Sequence, residues 1–182
     1  MKPAGYIFNT RDGPVGEAGL YYDYLAAENG VFIRAGNPLL RATVLISPAE
    51  IRGLSPLEER VELPHGKIPR YLYDLALASF IANSDREQYM AVTWEDRYHL
   101  RLPAQTRETS SVRYEQLPRV ILDIHSHGYM RAFFSGTDDG DEQGLRLYMV
   151  VGRLDTLLPE VDIRVGVYGY FAPLTFEEVF DV

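Results

Sequence analysis

The sequence predicts an α/β protein of the α+β kind, and two observations indicate this class. Residues 1–66 contain short apolar and aromatic runs separated by glycine- and proline-containing turns, which is the pattern of a small β-rich module. From Pro69 onward, a helical pattern is followed by hairpin-like and strand-like runs. A chain of 182 residues can bury one principal core with a small extension, so we place a domain boundary between residues 66 and 67.

The predicted N-terminal module contains strands rich in aromatic or β-branched residues. These strands are predicted at residues 19–24, 30–34 and 42–46. Tyr21, Tyr22 and Tyr24 fall in the first of them. Closely spaced tyrosines on a strand are more often half-buried than part of a ligand site. The function of this module is therefore left unknown.

The region from residue 67 begins with a predicted helix. Pro69 suits the first turn of a helix, and residues 83–85 supply a stop signal. The apolar positions at helical spacing between them are Leu72, Leu75, Ala76 and Phe80. The strands predicted after the helix are at residues 88–94, 97–102, 120–124, 145–151, 162–168 and, as an edge strand, 176–182.

Composition and charge exclude several classes of protein. The net charge of −8 and the absence of a basic run disfavour binding to nucleic acid. The chain has no cysteine, so a metal ion would have to be held by His, Asp or Glu. No run approaches the roughly 20 apolar residues that cross a bilayer, and the first residues lack a signal-peptide pattern. We therefore expect a cytoplasmic protein with neither a nucleic acid nor a membrane as partner.

The most informative pattern lies within residues 123–138. His125 and His127 stand two apart at the end of a predicted strand, where alternate side chains share one face, so both imidazoles can reach one ion. Asp138 follows a short loop and can add a carboxylate. Two nitrogens and one oxygen leave one corner of a tetrahedral zinc ion open to water, which is typical of catalytic zinc.

Neighbouring polar residues have structural explanations as well. Ser126 should point to the opposite face of the strand, so hydrogen bonding explains it better than nucleophilic catalysis. Ser135 could cap a short helix over residues 136–143, because Ser-x-x-Asp is a capping pattern. Asp123 and Asp139 could orient the histidines or replace Asp138 as a ligand, although carboxylates near a site are more often outside the ligand set.

The order His-x-His, seven residues, Ser, two residues, Asp resembles the signature of the JAB/MPN metalloprotease family, also called JAMM. The resemblance implies a mixed β-sheet flanked by helices over residues 67–182. It also implies one zinc ion on His125, His127 and Asp138, with Ser135 stabilising the oxyanion. The implied activity is cleavage of isopeptide or peptide bonds after ubiquitin-like proteins.

The family also uses a glutamate as general base, placed between its first helix and the next strand. Glu87 corresponds to that position here, although Tyr89 or Met90 stands where the family often has glycine. Glu62 and Glu58 are the next candidates.

Further segments resemble a bacterial subgroup, the PRTRC system protein A. They are residues 64–69, the pair Tyr114-Glu115, and residues 122–128, 132–139 and 164–169. The resemblance implies a ubiquitin-like protein or its conjugates as the partner, with E1-like and E2-like proteins encoded in the same cassette. Gly128 departs from the family pattern, in which proline is common after the second histidine.

Two alternative functions remain open at this point. The same fold is also found in metal-free scaffolds, so the chain could be a non-catalytic MPN-like interaction subunit with a structural metal. It could also be a small-molecule amidase, because a Lewis acid can hydrolyse any accessible amide.

Overall fold

The structure is a computed structural model that describes residues 2–107, 112–114 and 117–181. Glu115, part of the subgroup resemblance, and Val182, the end of the predicted edge strand, lie outside the described residues. The described chain forms two compact units. The first runs to Pro64 and includes residues 143–145 and 165–172, and the second comprises the rest. Compact units need not fold independently, so the domain boundary at residue 66 stays a prediction.

The elements alternate short strands with three helices in the described residues. In chain order they are β1 (Ala4–Thr10), β2 (Gly13–Glu17), β3 (Tyr22–Ala27), β4 (Gly30–Gly36), β5 (Arg41–Pro48), β6 (Arg60–Glu62), α1 (Arg70–Ala82), β7 (Tyr89–Trp94), β8 (Tyr98–Arg101), β9 (Gln105–Arg107), β10 (Val112–Tyr114), β11 (Val120–Ser126), α2 (Gly136–Asp141), β12 (Leu145–Gly152), β13 (Glu160–Val167), β14 (Tyr170–Pro173) and α3 (Phe176–Val179). None of these helices is long and apolar enough to cross a membrane.

The first unit contains a six-stranded sheet in the order β2-β1-β3-β4-β5-β6. The β1–β3 pair is parallel and the other pairs are antiparallel, so the sheet is mixed. Its core includes Ile7, Leu25, Ala27 and Phe32. The three predicted strands correspond to β3, β4 and β5. The prediction of half-buried tyrosines is confirmed for Tyr22 and Tyr24.

Tyr21 does not follow that prediction. It is 54% exposed and lies just before β3, which begins three residues later than the sequence predicts. The first residues of the predicted run are not part of the strand: Gly19 has no regular structure, and Leu20 lies in a bend with Tyr21. Because the strand alternation starts only at Tyr22, it places no burial requirement on Tyr21.

The second six-stranded sheet has the order β14-β13-β12-β11-β7-β8. The strand β11 pairs parallel with β12 and antiparallel with β7, so this sheet is mixed as well. The runs at residues 88–94 and 97–102 predict a β-hairpin, and the antiparallel pairing of β7 with β8 confirms it. Together with the β-rich first unit and the three helices, these sheets confirm the predicted α+β class.

Helix α1 confirms the predicted start at Pro69 and stop at Asn83. Its buried face carries Leu72, Ala76 and Phe80, as the spacing predicts. Leu75 is 55% exposed, so its predicted place on this face is wrong. Leu72, Ala76 and Phe80 are four residues apart and lie along the buried side of the helix. Leu75 lies outside this row, and its side chain points toward solvent.

The predicted edge strand at residues 176–182 is also wrong. Residues Phe176–Val179 form α3, which begins with a capping box between Thr175 and Glu178. Phe176 and Phe180 are four residues apart and stack with ring centroids 4.5 Å apart, a spacing that belongs to a helix rather than a strand. Among the described residues of this segment, only Phe180 forms a bridge, with Ile68.

Candidate metal centre

The strand β11 delivers two histidines to one end of the second sheet. It is buried along almost its whole length, with His125 near its end and His127 one residue beyond it. Ser126 lies between them and faces the other way, because its Oγ accepts a hydrogen bond from the Gln88 N–H at 3.1 Å. Its own N–H donates to the Gln88 carbonyl at 2.9 Å. The predicted hydrogen-bonding role of Ser126 is therefore confirmed.

The structure brings His125, His127 and Asp138 together. The two Nε2 atoms lie 3.2 Å apart, and His125 Nε2 lies 3.6 Å from Asp138 Oδ1. A tetrahedral zinc ion with ligands at about 2.0–2.1 Å has its ligand atoms about 3.3–3.4 Å apart. One ligand atom from each of the three residues lies within 4.8 Å of the others. The spacing and the donor types therefore fit a zinc ion.

Backbone contacts orient His127 within this group. Its Nδ1 lies 3.3 Å from the Arg131 carbonyl oxygen, which can only accept, so this contact favours the tautomer with the proton on Nδ1 and the lone pair on Nε2. The Met130 N–H donates back to the His127 carbonyl at 3.0 Å, and the Arg153 N–H donates to the Met130 carbonyl at 2.7 Å. The loop after the second histidine is thus tied both to that histidine and to the residue after β12.

The backbone conformation at Gly128 explains why glycine, and not proline, follows the second histidine here. Its φ is +58°, a value that proline cannot adopt because its ring holds φ near −65°. The Leu154 N–H donates to the Gly128 carbonyl at 3.0 Å, which fixes the turn in place. A proline at this position would force the loop onto a different path.

Asp138 is held by the start of α2. The Ser135 N–H donates to Asp138 Oδ2 at 2.6 Å, and the Asp138 N–H donates to Ser135 Oγ at 3.3 Å. This capping box confirms the predicted N-cap, although α2 ends at Asp141, two residues earlier than expected. Burial by itself would raise the pKa of Asp138, but the hydrogen bonds from Ser135 outweigh it and lower the pKa. The carboxylate is therefore kept ionised.

His125 is held in its neutral form. Burial disfavours the imidazolium and lowers the pKa of His125 to about 4, against the attraction of Asp138. A neutral imidazole has a free nitrogen lone pair, which is the form that binds a metal ion. The protonation states of His125 and Asp138 both suit a cation.

Glu87 lies within electrostatic range of His127 and Asp138. It is half-buried, immediately before Gln88 and β7. Burial raises the pKa of Glu87, while the charges of His127 and Asp138 act on it in opposite directions. The other candidate bases have different surroundings: Glu62 pairs with Arg60 in the first unit, and Glu58 is exposed.

The two alternative carboxylates are engaged elsewhere. Asp123 is buried and accepts hydrogen bonds from the Tyr89 hydroxyl and, at 2.7 Å, from Arg146. Burial raises the pKa of Asp123, and these contacts oppose it. Asp139 accepts from Arg164 Nη1 at 2.7 Å. Neither carboxylate is part of the ligand group.

Sequence reasoning missed three features of the site. The carbonyl of Arg131 leaves no signal in a sequence, because every residue has one. Phe133 and Phe134 flank the histidines, with ring centroids 4.9 Å from His127 and 6.4 Å from His125, respectively. Arg164 is buried within β13, and an arginine between the apolar residues Ile163 and Val165 of a predicted strand was a signal that could have found it.

The fold and the site define an α+β protein with an open group of two histidines and one carboxylate. Residues 75–164 match the family model of prokaryotic homologs of the JAB domain. The matched segment includes Glu87, both histidines, Ser135 and Asp138, and it supports the resemblance to the JAB/MPN family. The match does not reach the level of the PRTRC subgroup. No curated protein matches the chain.

Proposed function

We propose that this protein is a JAMM-type, zinc-dependent peptidase that hydrolyses the amide bond following a ubiquitin-like protein. The observation that carries the proposal is the spacing of the three ligand atoms, with 3.2 Å between the histidine nitrogens and 3.6 Å from His125 to Asp138. Three ligands leave the fourth tetrahedral position for the reaction, whereas a structural zinc site is closed by a fourth protein ligand.

A zinc ion held by His125, His127 and Asp138 would polarise the scissile carbonyl and lower the pKa of a water molecule to about 7. The residues of the chain then move the protons. The Glu87 carboxylate takes a proton from the attacking water as the oxygen adds to the carbonyl carbon. It returns that proton to the nitrogen as the C–N bond breaks, so the amine leaves neutral. Partial burial, which raises the pKa of Glu87, suits a group that must accept and return a proton.

Ser135 is the proposed oxyanion donor. Its Oγ accepts from the Asp138 N–H, and its hydroxyl proton, which bonds the Asp138 carboxylate, can rotate to donate to another oxygen as negative charge develops there. As the carbonyl oxygen gains negative charge, a donor already held in place stabilises it without reorganisation. The capping box holds Ser135 in this position.

The exposed residues beside the ligand group favour a protein substrate over a small amide. Met130 and Phe133, in the loop after the histidines, are 54% and 45% exposed. The turn after β12, linked to Met130 through the Arg153 N–H, carries the exposed residues Leu157 and Leu158. A free amino-acid amide would leave these side chains in water, whereas a protein substrate would cover them.

The finer parts of the proposal follow from the resemblance. A bacterial ubiquitin-like protein, as a precursor or attached to a target, is the proposed substrate, and E1-like and E2-like proteins of a PRTRC cassette are the proposed associates. The cytoplasmic location belongs to the same proposal. Neither nucleic acid nor a membrane is proposed as a partner.

Metal content and cleavage, measured on the same preparation, test this function. We expect one zinc ion per chain and cleavage of a ubiquitin-like protein fused through its carboxyl end to a reporter or a lysine side chain. Chelation should abolish cleavage and zinc should restore it. His127→Ala should lose both properties, whereas His99→Ala, a histidine of β8 outside the ligand group, should keep them.

Two other results would point to the alternatives. Zinc-loaded protein that cleaves no ubiquitin-like fusion, including those of its own cassette, would indicate a non-catalytic subunit with a structural metal. Hydrolysis of small amides without cleavage of any fusion would indicate an amidase.

A further inference from the structure

The helix that carries Asp138 has little of its own to hold it in place. Helix α2 spans only six residues, Gly136–Asp141, and two of them are glycine. None of its residues is buried, so it has no apolar face to pack against the sheet. Isolated helices shorter than about 12–15 residues are marginal in water, and glycine weakens them further. The capping box fixes Asp138 against Ser135, but the position of this helix start relative to the histidines must depend on contacts from outside the helix.

Arg164, on β13, makes such contacts near both ends of α2. Its Nη1 donates to Asp139 Oδ1 at 2.7 Å, and Asp139 directly follows the candidate ligand. Its Nε and Nη2 donate to Glu142 Oε2 at 2.9 and 2.5 Å, and Glu142 is the C-cap residue of the helix. One planar guanidinium therefore binds a carboxylate in the first turn and the carboxylate of the C-cap residue at the same time. The single ammonium group of a lysine cannot span both.

Arg164 also connects this helix with the histidine side of the site. Its guanidinium carbon lies 3.8 Å from the centroid of the Phe134 ring, and that ring is edge-on to His125. Arg164 itself is only 8% exposed. Four of the five residues from Asp138 to Glu142 are acidic, so the buried cation also offsets the repulsion among them.

We propose that Arg164 is a positioning residue of the metal centre, which ties α2 to β13 and thereby holds the Asp138 carboxylate beside His125 and His127. The inference rests on the zinc site proposed above. A buried ion pair with a purely structural role makes a different prediction, because its loss would lower stability without changing the affinity of the folded protein for zinc.

Zinc affinity of the folded protein, measured by competition with a chromophoric chelator, tests the proposal. Arg164→Met should weaken zinc binding by about 10- to 100-fold, as is common when a group that supports a ligand is lost. Arg164→Lys, which keeps the charge but cannot span both carboxylates, should give an intermediate loss. Arg101→Met removes an arginine that pairs with Glu95 on the β7–β8 hairpin and should bind zinc like the wild type.

A second variant separates positioning from stability. In Arg164→Met the buried Glu142 carboxyl loses the cation that favours its charged form. Burial already raises the pKa of Glu142 to about 7, so either holding the charge or keeping the group protonated at neutral pH destabilises the fold. Adding Glu142→Gln removes that charge, so the metal-free double variant should regain part of its resistance to urea. The zinc affinity of the double variant should stay low, because α2 still lacks its hydrogen bonds to β13. The visible spectrum of the Co²⁺-loaded protein should change in both variants, since it reports the coordination geometry.

The outcomes decide between the two roles. Wild-type zinc affinity in Arg164→Met, or recovery of that affinity in the double variant, would overturn the proposal while leaving the proposed peptidase intact. If Arg164→Met does not fold, Arg164→Lys carries the test, and unchanged affinity there overturns it. If the wild-type protein binds no zinc, or His127→Ala binds it equally well, the proposed function fails and this inference fails with it.

Discussion

Ser135 and Asp138 exchange two hydrogen bonds, and this exchange decides which carboxylate oxygen is available to a metal ion. The Ser135 N–H occupies Asp138 Oδ2 at 2.6 Å, while Oδ1 faces His125 Nε2 at 3.6 Å. The serine of the motif therefore caps a helix and also orients the candidate ligand Asp138. Its proposed part in catalysis is a third role, and substitution can separate it from the first two.

We expect Ser135→Gly to keep α2 but lose catalysis. Glycine at an N-cap costs only a few tenths of a kcal/mol relative to serine, whereas alanine costs about 0.5–2 kcal/mol. Ser135→Gly and Ser135→Ala both lack the hydroxyl, so each should lose about 10²- to 10³-fold in kcat if the hydroxyl is the oxyanion donor. Urea unfolding and steady-state kinetics measure the two effects. Wild-type kcat in Ser135→Gly would remove the serine from the mechanism.

Glu87→Gln should separate metal binding from proton transfer. The amide keeps the size of the side chain but cannot take a proton from water, so kcat should fall by about 10²- to 10⁴-fold. Zinc affinity should stay at the wild-type value, because Glu87 is not part of the ligand group. Glu58→Gln and Glu62→Gln serve as controls and should be fully active. An inactive Glu62→Gln with an active Glu87→Gln would move the base to Glu62.

Several parts of the site were predictable because they follow from local geometry. Strand alternation alone puts His125 and His127 on one face and Ser126 on the other. The Ser-x-x-Asp pattern alone predicts that Ser135 caps a helix. In each case the residues concerned lie within a few positions of one another, so the local sequence pattern is enough to predict their arrangement.

The parts that could not be predicted depend on contacts between distant segments. Arg164 reaches α2 across 22 positions to Glu142, and nothing in either segment specifies the other. The prediction of an edge strand at residues 176–182 was wrong for a different reason. There a capping box and an aromatic pair four residues apart favoured a helix over the strand that the apolar composition suggested.

Tyr98 should give the fold a dependence on alkaline pH. Its hydroxyl donates to the Gly66 carbonyl at 2.6 Å, and burial raises the pKa of Tyr98 to about 12. The neutral phenol is thus favoured in the folded state. The contribution of Tyr98 to the free energy of unfolding is therefore complete below pH 10 and is lost between about pH 10 and 12. Urea unfolding of wild type and Tyr98→Phe should therefore converge as the pH rises through this range. A constant difference between them would contradict the assignment.

Gly152, which ends β12, should be intolerant of a side chain. A Cβ at this position would lie 2.4 Å from both the Met130 oxygen and the Ala132 nitrogen, so the loop after the histidines would have to move. We expect Gly152→Ala to destabilise the fold by about 1–3 kcal/mol, as overpacking does. The same displacement would carry the Arg131 carbonyl away from His127 Nδ1 and lower zinc affinity.

Gly36→Ala is the matched control for Gly152→Ala. A Cβ there would meet only the flexible side chain of Arg41, at 3.3 Å, so stability and zinc affinity should stay near the wild-type values. Chelator competition and urea unfolding, measured on both variants, compare the two positions. If Gly152→Ala loses stability but binds zinc with wild-type affinity, the Arg131 carbonyl does not orient His127, and the close packing at Gly152 serves the fold alone.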